Sequence, residues 1–315
     1  MKKLILLTFV MMAVLFTPSC QKGELGNGQN DVADVTLTVG LPDVVASKAI
    51  GDGQKVKIVY YTAFVNGLAV PKLCQQVELD ESGRAELKLQ LIKKVNYSFV
   101  FWAQTPVADG SEQYYDLSSF YVDSKVKVNY AVNANDDMRD AFCALKEICV
   151  DETTNLDVIL RRPFAQINFL ASDYDMLKPL GLQDGLLSEM TVIGVPDTIT
   201  LLDGSVSSSS AAGAEVVFAA APVPSGEDEY MTLLEQEYGY IGMNYILASE
   251  EGDNISVKGR FVSGDSSWQT SLMDNVPVRK NYRTNIHGEF FTETGQLQVI
   301  ILPEYNTPDE EVTFR

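Results

Sequence analysis

The residues able to do chemistry are unevenly supplied. The 315-residue chain carries one histidine, His287, four cysteines, and 43 aspartates and glutamates against 24 lysines and arginines. A single imidazole rules out a histidine-rich metal cage and most general-base schemes. There is no G-x-S-x-G elbow, Walker loop, H-E-x-x-H or G-x-G-x-x-G, the motifs that would position a nucleophile, a phosphate or a zinc ion. A glycosidase needs only two carboxylates, and nothing in the spacing singles out a pair. Asp136, Asp137 and Asp140 come near a calcium loop but lack its glycine and terminal glutamate. Following Asn135, they read instead as caps for the free N–H groups of a first helical turn. Cys143 and Cys149 lie six apart, a spacing that suits two small core residues better than a redox pair. With Cys74 they leave an odd thiol, against a closed disulfide framework. The expectation is a non-enzyme with no cofactor and no metal.

The formal charge of −19 also sets the partners. Nucleic acid and anionic bilayer surfaces require a positive patch that releases counterions, so neither is expected as an electrostatic partner. At the N-terminus Lys2 and Lys3 precede an apolar run, Leu4 to Phe16, too short for the roughly 20 residues that span a bilayer. Residues 1–19 read as a signal peptide. The next residues, Thr17-Pro18-Ser19-Cys20, resemble a lipobox in the relaxed form of Bacteroidota lipoproteins, with Thr17 departing from the usual larger aliphatic. Cys20 is thus the candidate lipidation site; ordinary secretion, with Cys20 a spare thiol, is the alternative. Several acyl chains would anchor the chain nearly permanently, at about 0.8 kcal/mol per buried CH₂.

The remaining elements are mostly strands. Residues 20–33 are polar and glycine-rich, a flexible tether. Val35, Leu37 and Val39 alternate with polar residues, and so do Ala85, Leu87, Leu89 and Leu91, the period of half-buried strands. Glu81-Ser82-Gly83 marks a turn, so residues 75–91 are expected as a hairpin. Residues 56–65, 96–104 and 126–130 extend the pattern. Met138, Ala141, Phe142, Leu145 and Ile148 recur at helical spacing and predict one short helix. Strand signals resume over 156–170, 190–201, 215–221, 238–248, 254–262, 282–292 and 297–302. Many short strands with one helix imply sheets that cover one another. The expected fold is therefore all-β, with an N-terminal sandwich domain over 34–155 and a C-terminal one over 156–315. The polar stretch 151–155 marks the boundary.

Four segments together resemble the fimbrillin-like lipoproteins of Bacteroidales, related to the subunits of type V pili. They are Ser47-Lys48-Ala49-Ile50-Gly51-Asp52-Gly53, the Leu160–Phe169 run containing Arg161-Arg162-Pro163, Gly239–Ala248, and Arg279–Gly288. The resemblance implies two tandem transthyretin-like β-sandwich domains in a lipoprotein of the outer membrane and cell surface. The implied partners are other fimbrial subunits, met by donor-strand exchange, and a host or bacterial surface ligand. It also implies a trypsin-like cut after a basic residue near the first strand, where relatives often carry arginine.

In this sequence Lys48 has small neighbours that let a protease reach and bend the backbone, so Lys48 and Ala49 are the candidate processing site. An ordinary loop lysine is the alternative. A cut there would release the first strand and leave a groove for another strand, the logic of β-augmentation. Val299, Ile301, Val312 and Phe314 mark the candidate donor strand; a tail that completes its own sheet is the alternative. Arg161-Arg162-Pro163 reads as structural, with no acidic partner identifiable. Asp197-Thr198-Ile199 matches a short bacterial O-glycosylation pattern. A surface glycan-binding lipoprotein is the competing function, with Trp102, Tyr114, Tyr115 and Trp268 as its aromatic candidates.

Overall fold

A computed structural model describes residues 31–42, 51, 53–108, 113–209, 213–292 and 296–303. As far as residue 160 the chain forms β1 (Val32–Gly40), β2 (Ile58–Val65), β3 (Leu68–Ala69), β4 (Gln75–Glu78), β5 (Arg84–Ile92), β6 (Asn96–Gln104), β7 (Tyr115–Asp116), helix α1 (Phe120–Asp123), β8 (Lys125–Val128), β9 (Ala141–Cys149) and β10 (Thr154–Ile159). One sheet has the order β10-β1-β5 and another β3-β2-β6-β9, with β4 also on β2. Alternation makes them a sandwich. Val35, Leu37 and Val39 of β1 and Leu87 and Leu91 of β5 share a core with Val59, Tyr61 and Ala63 of β2 and Phe99 and Phe101 of β6. Asp34, Thr36, Thr38, Glu86, Lys88 and Gln90 take the middle of the outer face of the first sheet, with Val32, Ile92 and Ile159 exposed at its ends.

β6 is apolar without alternation, and the packing explains it. Phe99, Phe101 and Ala103 face that first core, whereas Val100 and Trp102 face a second one. A strand covered on both sides reads as a continuous apolar run.

The second core is built by β11 (Phe164–Ala171), β12 (Leu187–Ile193), β13 (Thr198–Thr200), β14 (Val206–Ser207), β15 (Glu215–Pro222), β16 (Tyr230–Leu233), β17 (Gln236–Leu247), β18 (Asp253–Ser263), β19 (Ser266–Gln269), β20 (Met273–Val278), β21 (Tyr282–Gly288) and β22 (Leu297–Pro303). The sheets β16-β17-β11-β21-β22 and β15-β12-β18-β19, the latter with β20 on β18, contribute Ile167, Phe169, Met190, Phe218, Met243, Val257 and Phe261 to one cluster. A small sheet, β14-β13-β8-β7, ties residues on either side of position 155 together through the Ile199–Val126 register. Among the described residues the fold is all-β, with one short α-helix, Phe120–Asp123, and a few 3₁₀ turns.

That helix is not where periodicity puts it. Residues 141–149 form β9, paired antiparallel with β6 from Ala141–Gln104 to Cys149–Asn96. Ala141 and Cys143 enter the second core and Phe142 the first. A strand end buried on both faces loses its period of two, and the spacing to Leu145 and Ile148 then imitates a helix. The capping expectation holds for Asp136 alone, whose carboxylate accepts from the Met138 N–H at 3.1 Å, and what it caps is a 3₁₀ turn, Asp137–Arg139, rather than a helix; Asp137 and Asp140 face other partners. The expected hairpin over 75–91 is also corrected, because β4 joins β2 and β5 joins β1. The turn therefore carries the chain from one sheet to the other. The expected strand 190–201 is interrupted, as β12 ends at Ile193 and β13 begins at Thr198.

Candidate functional site

β1 is a middle strand whose two partners come from distant parts of the chain. All nine residues pair antiparallel with β5, from Val32–Ile92 to Gly40–Arg84. Val35 to Gly40 pair parallel with β10. The ladder continues past each end, with Lys93 N–H donating to the Asp31 carbonyl at 2.8 Å and Leu41 N–H to the Gly83 carbonyl at 3.0 Å. Inward, Ala33, Val35, Leu37 and Val39 are at most 3% exposed. Outward, Asp34 accepts from Gln90 Nε2 at 3.1 Å in solvent. β10 has no other strand partner among the described residues. Removing β1 would strip two backbone ladders and a row of alternate pockets at once, the features with which a sheet captures an extended segment.

The chain downstream of β1 is held at Gly51 and Gly53. Gly51 N–H donates to Asp137 Oδ1 at 2.8 Å, and Arg162 Nη2 donates to the Gly51 carbonyl. Asp137 also accepts from Tyr245 at 3.1 Å and pairs with Lys55 at 3.2 Å. Arg162 grips Asp140 through Nε, at 2.8 Å and 3.0 Å from its two oxygens, and through Nη2 at 2.6 Å. Its guanidinium lies 4.4 Å from the Phe142 ring centroid. Arg162 and Asp140 are each 1% exposed. Burial pushes the Asp140 carboxyl up, and the adjacent Arg162 charge opposes that shift. Gly53 has φ +75°, and a Cβ there would sit 2.9 Å from Phe142 Cζ, so only glycine fits. Gly51 and Gly53, among the small residues near Lys48, are thus buried and fixed.

Cys20, Lys48, Ala49, Val312 and Phe314 lie outside the described residues. Val299 and Ile301 lie on β22, opposite Ile286 and Thr284 of β21, at the edge of their sheet. Cys74, Cys143 and Cys149 are free thiols. Burial raises the Cys143 thiol to about 11, which keeps it protonated and unreactive. His287 is buried, and its ring meets Tyr238 edge-on at 5.4 Å. Thr198 Oγ1 donates to Asp197 at 2.9 Å, inside a strand paired on both sides. Trp102 is fully buried, with its Nε1 on Gln104 at 2.9 Å. Tyr115 is buried, Tyr114 packs against it with centroids 6.4 Å apart, and Trp268 packs edge-on to Phe291 at 5.1 Å. These side chains do not form an exposed aromatic platform. Among the described residues no three His, Cys, Asp or Glu side chains converge as a metal site. Sequence reasoning missed Asp140 and Asp137 as partners of Arg162 and Gly51. The only signal was an acidic cluster, and its spacing does not say what it faces.

Among solved structures, the chain is similar to a candidate cell adhesion protein from Bacteroides ovatus, at TM-score 0.48 and 9% identity over 87% of this chain and 98% of that one. It is also similar to the tip fimbrial protein Mfa3 from Porphyromonas gingivalis, at TM-score 0.46 and 8% identity over 86% and 99%. A fimbrial assembly protein from Parabacteroides distasonis gives TM-score 0.44 and 12% identity over 90% and 100%. No curated protein matches the chain. Residues 27–314 match the model of a family of unknown function, DUF6562, and the chain belongs to that family.

Proposed function

We propose that this is a cell-surface structural protein, held at the outer membrane through lipid on Cys20 and joined to fimbrial subunits by exchange of its first strand, so contributing to adhesion. The observation that carries the reading is the position of β1. It is central in its sheet, apolar on one face only, and separated from Gly51 by a segment containing Lys48. A cut after Lys48 makes Ala49 the new first residue and frees β1 to leave. The vacated groove then offers unpaired N–H and C=O groups and apolar pockets, both of which a donor strand satisfies. The donor is drawn from the C-terminal segment marked by Val299, Ile301, Val312 and Phe314. Recruiting Val299 and Ile301 requires opening the β21–β22 ladder, so exchange is slow unless the acceptor groove replaces every bond lost.

Mild trypsin treatment with N-terminal sequencing and gel electrophoresis of the products tests this. A single early cut giving Ala49 as the first residue, with a ladder of multimers, is expected. Scattered cuts, or a clean cut with persistent monomer, would overturn the proposal. The packing of Trp102, Tyr114, Tyr115 and Trp268 against other side chains removes the observation on which a glycan platform would rest.

A further inference from the structure

We infer that Arg162, Asp140 and Asp137 form a latch on Gly51 that separates a releasable leader from a retained body. The inference deepens the strand-release reading, because a leader must detach without unravelling the chain beyond it. Gly51 has both backbone polar groups held by side chains, its N–H by Asp137 at 2.8 Å and its carbonyl by Arg162. All three latch residues lie far beyond the leader in sequence, and Arg162 and Asp140 are a buried pair. Lifting Gly51 would leave a buried guanidinium short of an acceptor and a backbone N–H short of one, both costly. Gly53 adds a steric stop against Phe142. Immediately downstream, the Val56 N–H bonds to the Gly53 carbonyl at 3.1 Å and the Lys57 N–H to the Gln104 carbonyl at 3.1 Å. Order established at Gly51 therefore runs directly into β2. Fraying that begins upstream stops at this residue, and Lys55, itself paired with Asp137, stays protected while Lys48 is cut.

The test compares the full chain with two variants, Asp137→Ala and the double change Arg162→Met with Asp140→Leu. The double change replaces a buried ion pair by apolar groups of similar size and so spares the fold. Trypsin cleavage rates at Lys48 and Lys55 and amide exchange over 53–57 are measured, with exchange in β18 as the control. Loss of a charged hydrogen bond is expected to speed cleavage at Lys55 and exchange over 53–57 by about tenfold or more. Lys48 and β18 should stay unchanged. Equal rates in the wild type and both variants would overturn the latch. If β18 exchange rises in the double variant, that protein is globally destabilised and Asp137→Ala decides on the same readouts. Protection of Lys55 that depends on the latch, in a chain never cut at Lys48, would support the latch and sink the strand-release reading.

Discussion

Taking β1 away and returning it as a peptide measures how much of the first sandwich depends on that strand. Val35, Leu37 and Val39 are at most 1% exposed, and full burial of each contributes about 1.5–3 kcal/mol. Their loss removes roughly 5–9 kcal/mol, comparable with the about 5–15 kcal/mol that stabilises a whole domain. A chain beginning at Ala49 should therefore melt well below the intact protein by differential scanning fluorimetry. A synthetic peptide of residues 31–42 should restore most of the difference. Alternation supplies the control. A Leu37→Ala peptide loses a fully buried side chain, costing about 2–5 kcal/mol, and should bind roughly 30-fold or more weakly. A Thr38→Ala peptide, altered on the outer, half-buried face, should bind within a few-fold of the parent in the same calorimetric titration. If the shortened chain melts with the intact one, or if both peptides are weakened alike, β1 is not a one-faced structural strand.

Three smaller perturbations test the packing. His287 is the only histidine, and burial lowers its pKa. The unfolded chain therefore takes up a proton first as pH falls below about 6.5, and stability should drop from there until the folded pKa is reached. A His287→Gln variant should flatten that part of a melting temperature profile between pH 7 and 5, and an unchanged slope would refute the assignment. Leu234 and Glu235 turn the β16–β17 hairpin with φ +50° and +64°, angles that favour Asn-Gly. Glu235→Gly should relieve about 1 kcal/mol of left-handed strain, seen as a higher denaturant midpoint with unchanged slope. Gly239→Ala would place a Cβ 2.2 Å from Tyr174 Cγ. Overpacking of that kind costs about 1–3 kcal/mol, so the denaturant midpoint should fall.

In β1 and β5, each wet on one face, the sequence alone determines the element. β1 and β5 alternate so regularly that their strand character and inward residues follow from period two, because a pleated strand sends successive side chains to opposite sides. The acidic surface and the Asp136 cap are equally local properties. What the tertiary structure decides begins where burial is two-sided or partners are distant. β9 is apolar on both faces at Ala141, Phe142 and Cys143, so its periodicity is erased and the residues mimic a helix. β4 and β5 are joined by a hairpin-like turn, yet each pairs with a different strand, since a turn fixes the chain's reversal and not which sheet receives it. Arg162 finds Asp140, and Gly51 finds Asp137, only after β6, β9 and β11 have closed the sandwiches. Spacing along the chain carries no information about such contacts, because they are set by the summed geometry of sheets whose strands pair across most of its length.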